Sequence, residues 1–377
     1  MRVRLGDYIK EYSVKNKNNE DIPVYSVSNS LGFCKDYFGK EVASKNKTTY
    51  KIVPRGCFAY NPSRINVGSV DWQNEEERVI VSPLYNVFSV SPLLDQQYLL
   101  YYLKSNVTLS RIRAVASGSV RDNLKLSMLY EFPIDLISLD QQYDVVSTLN
   151  AVQKIIDLYQ KGLSYLDELV RARFVEMFGD ENNSKGWEIV NIEDVANVQV
   201  GVVIKPSQYY TDQDSGIKAF RSLNIGNGYI KDDDWVYFSE EGNKKNKKSI
   251  LSTNDVLVVR SGAPGTACVV TSEYAGSNAI DVIIAHPDFQ KVDSHYLCTY
   301  TNMPHGKSQI IEGTGGAAQQ HFNVGKYNKL KLMLPPLEYQ KQYVKFLEEI
   351  DKSRSRIQKS LETSQELFDS LMQEYFG

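Results

Sequence analysis

The sequence predicts an α+β fold in which one plan is written twice. Two similar α/β globules are each followed by a long helix, and the two helices pack as an antiparallel coiled coil in a pseudo-two-fold internal repeat. Three observations carry this prediction: a stretch that recurs at an offset of 198 residues, an unbroken helical stripe in both copies of that stretch, and globules made of many short Val-, Ile- and Tyr-rich runs split by Gly, Asn, Pro and Asp.

The order is globule (1–138), helix (139–184), globule (185–336), helix (337–377). In the first globule, Val3–Asp7 is echoed by Ile189–Asp194, and Val24–Asn29 by Ala219–Asn224. Gly56–Asn61, a buried strand after a turn, is echoed by Asp255–Arg260. Tyr98–Leu99 parallels Tyr296–Leu297 on a short helix, and Gly118 parallels Gly316. The globules therefore share a frame while their loops diverge.

The helical segments agree far more closely. Val146, Leu149, Val152, Tyr159, Leu163, Leu169 and Val170 answer Val344, Leu347, Ile350, Ile357, Leu361, Leu367 and Phe368. Spacings of three, four and seven put them on one stripe. Neither segment has an internal proline, so each reads as a helix of about 35 residues or slightly more, roughly 50 Å long, ending at Gly179 or Gly377. A helix that outreaches its globule needs another long helix as cover, and its repeat mate is the natural one.

The 377 residues suit two domains, and 43 Lys and Arg against 46 Asp and Glu give a net charge of -3. That excludes a generally polybasic binder but leaves room for a locally basic surface. The first globule carries 18 basic and 14 acidic side chains and the second 15 and 16, while both helical segments lean acidic. Cys34, Cys57, Cys268 and Cys298 are widely spaced with no C-x-x-C pair, and no apolar run reaches the length of a membrane span, which points to the cytoplasm.

Catalytic constellations are absent from the pattern. His286, His295, His305 and His321 form no H-E-x-x-H or Cys/His metal motif, and Gly313–Ala318 lacks the lysine of a phosphate-binding loop. Tyr60-Asn61-Pro62 is followed by Ser63 rather than by the remainder of an amino-methyltransferase tetrad. Pro287-Asp288 with Lys291 lacks the second carboxylate of a nuclease motif.

Nucleic-acid contacts are easier to place. Arg can grip guanine or phosphate through its fork, and Asn can pair with adenine. Asn61, Ser63, Arg64 and Asn66 lie in a polar loop leaving a strand, and Arg260 with Ser261 opens the corresponding loop of the second half. Arg111, Arg113 and Arg121 surround a later loop of the first half, Gln319 and Gln320 that of the second, and Arg221 joins them from the Ala219–Asn224 run. Lys244, Lys245, Lys247 and Lys248 form a basic run suited to phosphate.

Across its whole length the chain resembles the specificity subunit of bacterial type I restriction-modification enzymes. The resemblance rests on the two globules, the two matching helices, the segment Tyr60–Ser69, and Leu332–Gln340 at the entry to the second helix. The first entry departs from that pattern, with Ile137-Ser138 in place of Pro335-Pro336. The resemblance implies two target recognition domains, each reading one half of a split, asymmetric DNA sequence, with helices that fix the spacing and dock two modification subunits. It implies no cofactor on this chain. S-adenosylmethionine for adenine N6 methylation is expected on the modification subunits, and ATP and Mg on separate restriction subunits, so the chain itself is noncatalytic. Two other readings are a standalone adenine-N6 DNA methyltransferase with a fused recognition domain, against which the missing cofactor and tetrad motifs count, and a structural adaptor without DNA binding.

Overall fold

Short β-branched runs form strands, and in both halves the strands assemble in the same order. The computed structural model describes residues 1–35, 46–116, 123–314 and 322–377. The chain divides into two compact units, one comprising 1–161 with 357–377 and the other 162–356. Each unit therefore holds one globule, the near half of one long helix and the far half of the other.

The first unit is built on an antiparallel sheet with the order Ile9–Glu11, Asn86–Val90, Phe58–Tyr60, Val70–Trp72. In the second unit Ala196–Val200, Val282–Pro287, Val256–Val259 and Ala267–Val269 take the same places. Arg2–Arg4 pairs antiparallel with Pro133–Asp135, and Glu188–Asn191 with Lys331–Leu334. Only the second unit adds, among the described residues, a sheet of Tyr210–Thr211, Val236–Phe238, Ile217–Phe220 and Asn278–Ala279.

The helical layer keeps the 198-residue offset without a slip. Gln96–Lys104, Asn106–Ala116 and Leu126–Leu129 begin where Ser294–Asn302, Pro304–Thr314 and Val324–Asn328 begin in the second half. One strand register read from the sequence needs correction. Phe58, not Cys57, corresponds to Val256, because Phe58 and Tyr60 face the helical layer of their unit as Val256 and Val258 face theirs. Cys57 and Ala59 point to the opposite face, as do Leu257 and Val259. A slip of one residue in a strand exchanges its two faces.

The long helices run Leu139–Phe178 and Leu337–Phe376, 40 residues each and so about 60 Å long. Ser138 starts the first with a capping box: its Oγ takes the Gln141 N–H at 3.3 Å, and Gln141 Oε1 takes the Ser138 N–H at 3.1 Å. Pro336 stands at that place before the second helix, where a missing N–H costs nothing. Gly179 ends the first helix at φ 91°, returning its N–H to the Val175 carbonyl.

In the second unit the two helices run antiparallel: Tyr343 donates its hydroxyl to the Val170 carbonyl at 3.3 Å and lies against Phe174 and Phe178, while Arg354 reaches back to Asp167 at 2.6 Å. In the first unit Tyr98 packs on Phe376 with ring centroids 5.1 Å apart, and Tyr101 packs on Phe368 at 6.1 Å. Tyr296 holds Phe178 at 4.8 Å in the matching place. Leu149, Val152 and Ile350 are buried; Val146, Tyr159, Leu163, Val170, Val344, Leu347, Ile357, Leu361 and Phe368 are half-buried. Leu169 and Leu367, expected in the seam, are instead 47% and 51% exposed. The seam follows Val170, Phe174 and Phe178, and a residue one step off that row points about 100° away from it.

A fully buried glutamine fastens each long helix to its globule. Gln142 accepts the Asp95 N–H at 2.8 Å and donates to the carbonyls of Leu93 at 3.0 Å and Ile137 at 2.9 Å. Gln340 repeats this with Asp293, Lys291 and Pro335 at 2.8, 3.2 and 2.8 Å, every partner 198 residues on. Gln142→Leu or Gln340→Leu leaves a buried N–H and two carbonyls without partners, so unfolding in urea should show a loss of about 3 kcal/mol. A loss below about 1 kcal/mol would show that the clamp is dispensable.

Candidate nucleic-acid interface

The polar loop that follows the third strand of each sheet order is held by a matching bond in both units. Leu124 donates its N–H to the Pro62 carbonyl at 3.0 Å, and Phe322 donates to the Arg260 carbonyl at 2.9 Å. Between these anchors the loops differ. In the first, Asn61 accepts from the Ser63 N–H at 3.1 Å and the Ser63 hydroxyl at 2.9 Å, and its carbonyl takes the N–H of Arg64 and Ile65 at 3.0 Å each. This starts a 3-10 turn over Ile65–Val67 that ends at Gly68 with φ 89°. Ile65 is fully buried and pins the turn, leaving Ser63 and Arg64 exposed.

Arg113, from the helix Asn106–Ala116, donates Nε to the Asn66 carbonyl at 3.3 Å, and the Arg111 guanidinium lies 5.8 Å from the Phe132 ring centre. Asn61, Ser63, Arg64, Asn66 and Arg113 thus form one surface cluster. Within it Asn61 and Asn66 shape the loop, and Arg64 is the exposed cation at its tip.

In the second unit the nominated arginines are turned inward. Arg260 is only 15% exposed; its guanidinium pairs with Asp281 and donates Nε to the Phe322 carbonyl at 3.1 Å. Arg221 is held by the Asp234 carboxylate at 3.3 Å and by the carbonyl of the same residue. Both guanidiniums are thus engaged with a carboxylate beside a strand end. Ser261 is half-buried, beside Gly262 and Gly265, both at φ 83°. A Cβ at Gly265 would meet Ile310 Cδ1 at 2.9 Å, so the loop lies close on the second short helix.

The lysine run is partly neutralised. Lys244 and Lys245 pair with Glu240 and Glu241 at 3.5 and 2.8 Å along one helical turn, which holds the Lys245 ammonium above its ordinary pKa range. Lys247 and Lys248 are exposed on the turn Lys247–Ser249. Arg121, Gln319 and Gln320, like Gly118, Gly316 and His321, lie outside the described residues.

Two features escaped the sequence reading. One is the glutamine clamp, whose only signal was identical Gln at 142 and 340 in the repeat register. The other is a side-chain chain in which His286 Nδ1 meets the almost fully buried Asp255 at 2.6 Å and His286 Nε2 meets Gln199 at 2.7 Å. Among the described residues no group of three His, Cys, Asp or Glu is placed to hold a metal ion, and no helix is long and apolar enough to cross a membrane.

A family model for the type I restriction modification DNA specificity domain matches this chain twice, over residues 4–166 and 184–366. The chain belongs to that family. Its role in such a system is DNA target recognition, as a noncatalytic component. It is 21% identical to the type I restriction enzyme MjaVIII specificity subunit of Methanocaldococcus jannaschii, over 93% of this chain and 85% of that one. It is 19% identical to the StySPI specificity subunit of Salmonella potsdam, over 98% and 84%. A chain from a solved type I R-M system shares the fold at a TM-score of 0.62, with 14% identity over 100% of this chain and 97% of that one. The S subunit of a type I system from M. genitalium does so at 0.56, with 13% identity over 100% and 96%.

For this specificity-family chain, the inward and outward arginines should separate experimentally. Arg260→Gln should lower stability by about 1–2 kcal/mol in urea unfolding, whereas Arg64→Ala should stay within about 0.5 kcal/mol of the parent. Equal effects would contradict the assignment of Arg260 to the fold and Arg64 to the surface.

Proposed function

We propose that residues 1–138 and 185–336 are two target recognition domains, each reading one half of a bipartite, asymmetric DNA sequence. The helical segments 139–184 and 337–377 set the separation of the half-sites and dock two modification subunits. Those subunits carry S-adenosylmethionine and methylate adenine N6. Restriction subunits, with ATP and Mg, complete a cytoplasmic assembly. The observation that carries this reading is one frame used twice with unlike loops. The anchors at Leu124 and Phe322 coincide in the repeat, yet the loops they close hold different residues in different conformations. A shared frame gives both readers one docking geometry, and unlike loops give them unlike base preferences.

The reading is tested by expressing the chain with its modification subunits and mapping adenine methylation across a genome. A single split motif is expected. Replacing residues 1–138 with the corresponding globule of a relative should change one half of it and leave the other unchanged; a motif that changes in both halves, or in neither, rejects the modular assignment. Adding a helical turn to both long helices near 154 and 352 should change the gap between the halves, and an unaltered gap rejects the helices as the ruler. On the mapped duplex, Arg64→Ala should weaken binding and reduce the slope of log K against log salt by about 1. An unchanged salt series would remove Arg64 from the interface.

A further inference from the structure

We propose that Ile204, at the tip of the loop leaving the edge strand Ala196–Val200, is a specificity-determining contact of the second globule that packs against a thymine methyl group in the DNA major groove. This contact rests on the reading of residues 185–336 as a target recognition domain. Ile204 is 79% exposed and Val203 beside it is exposed too, so two consecutive β-branched side chains stand in solvent. A single apolar residue on a surface needs no explanation, whereas apolar residues gathered on a held tip mark a place where something docks.

The backbone holds this tip in place. The Gly201 N–H donates to the Val282 carbonyl at 2.9 Å and the Val202 N–H to the Ala279 carbonyl at 2.7 Å, while the Val202 carbonyl takes the Asp281 N–H at 3.2 Å. Gly201 passes so close to the Ala279 carbonyl that a Cβ would collide with it. Lys205 then adopts the left-handed region at φ 44°, although Pro206 follows it and favours an extended residue there. A lysine gains nothing from that conformation by itself, so the surrounding structure imposes it.

The tip leaves the end of the sheet at which the candidate loop opens. Val200 pairs with Ile283 and Val259 with Val282, so residues 201–206 and the loop that begins at Arg260 depart from the same end. Asp281 joins them, bonding Val202 through its N–H and Arg260 through its carboxylate. The turn Gly226–Tyr229 reaches that end as well, because the Gly228 N–H donates to the Ala267 carbonyl at 2.8 Å. There the Tyr229 ring lies across Gly226, where a Cβ would come within 2.7 Å of it, and the ring is 55% exposed. In the first unit the corresponding loop carries the exposed Arg64; in the second, Arg260 is paired with Asp281 and apolar side chains stand out instead. Among the groups that base edges present in the major groove, the thymine methyl is the apolar one. The exposed Lys205 beside Ile204 suits the flanking phosphate, which favours DNA over a protein surface.

The test uses the full chain with its modification subunits and the mapped duplex. The half-site concerned is the one that persists when residues 1–138 are exchanged. Each of its thymines, on either strand, is replaced in turn by deoxyuridine, which removes the methyl group and keeps the base pair. For the parent, at least one replacement should weaken binding about fourfold, the worth of one buried methyl. Ile204→Ala should bind the unaltered duplex more weakly by a similar factor and should lose the deoxyuridine penalty at that position. If no thymine of that half responds in the parent, or if the same penalty persists in Ile204→Ala, the contact is overturned. A tip wedged into the minor groove is blind to the methyl group and is recognised by the same result. Loss of the modification subunits from Ile204→Ala in gel filtration would give the tip to a protein partner and overturn the contact as well. Absence of any split motif from the methylation map is a different failure, which removes the domain reading itself and this contact with it.

Discussion

A glutamine buried at the start of each long helix is the constraint on which the rest of each unit depends. Its amide satisfies three backbone groups that no regular element reaches: the N–H of Asp95 or Asp293, which caps the first short helix, the carbonyl two residues before it, and the carbonyl leaving the last strand. A buried amide with all its bonds made fixes position as well as energy, because an apolar residue in its place would leave three polar groups dry. The clamp sets where the long helix departs from the globule. That departure decides which rows of the helix meet the aromatic floor of Tyr98 or Tyr296, and so which residues can form the seam.

Much of this frame was legible in the sequence because it is periodic. Helical spacing from Val146 to Phe368 announced the long helices, and the repeat offset announced their equivalence. The offset was also more trustworthy than local likeness of strands: aligning Gly56–Asn61 with Asp255–Arg260 by appearance moved the register by one, which in a strand inverts inside and outside. Leu169 and Leu367 misled for a related reason. They recur together, and both are leucine, but recurrence reports equivalence and not burial. The departure at Ser138 proved to be a change of means only, since a capping box and a proline each relieve the first turn of an N–H it cannot bond.

The interface was less legible because charge pairing is a long-range property. Lys244 and Lys245 stand four residues from Glu240 and Glu241, so their neutralisation could be read from spacing. Arg260 finds Asp281 across a sheet, and Arg221 finds Asp234 across a loop, and nothing in the local pattern distinguishes them from Arg64. The chain of Asp255, His286 and Gln199 is hidden for the same reason. Its members come from three separate strands or strand ends, and each alone is an ordinary polar residue.

The net charge of -3 takes a clearer meaning from these pairings. Counting basic residues overstates the positive surface of the second globule, where two nominated arginines and two of four nominated lysines already serve carboxylates. Exposed cations outside these pairs, Arg64, Lys247 and Lys248 among them, are the ones placed to contribute to affinity through counterion release. Within the proposed assembly the modification subunits would add to that phosphate grip, which leaves the loops of this chain to discriminate among bases. Such a division would suit a frame used twice: affinity shared with partners common to both halves would leave each loop at liberty to diverge without weakening the proposed complex.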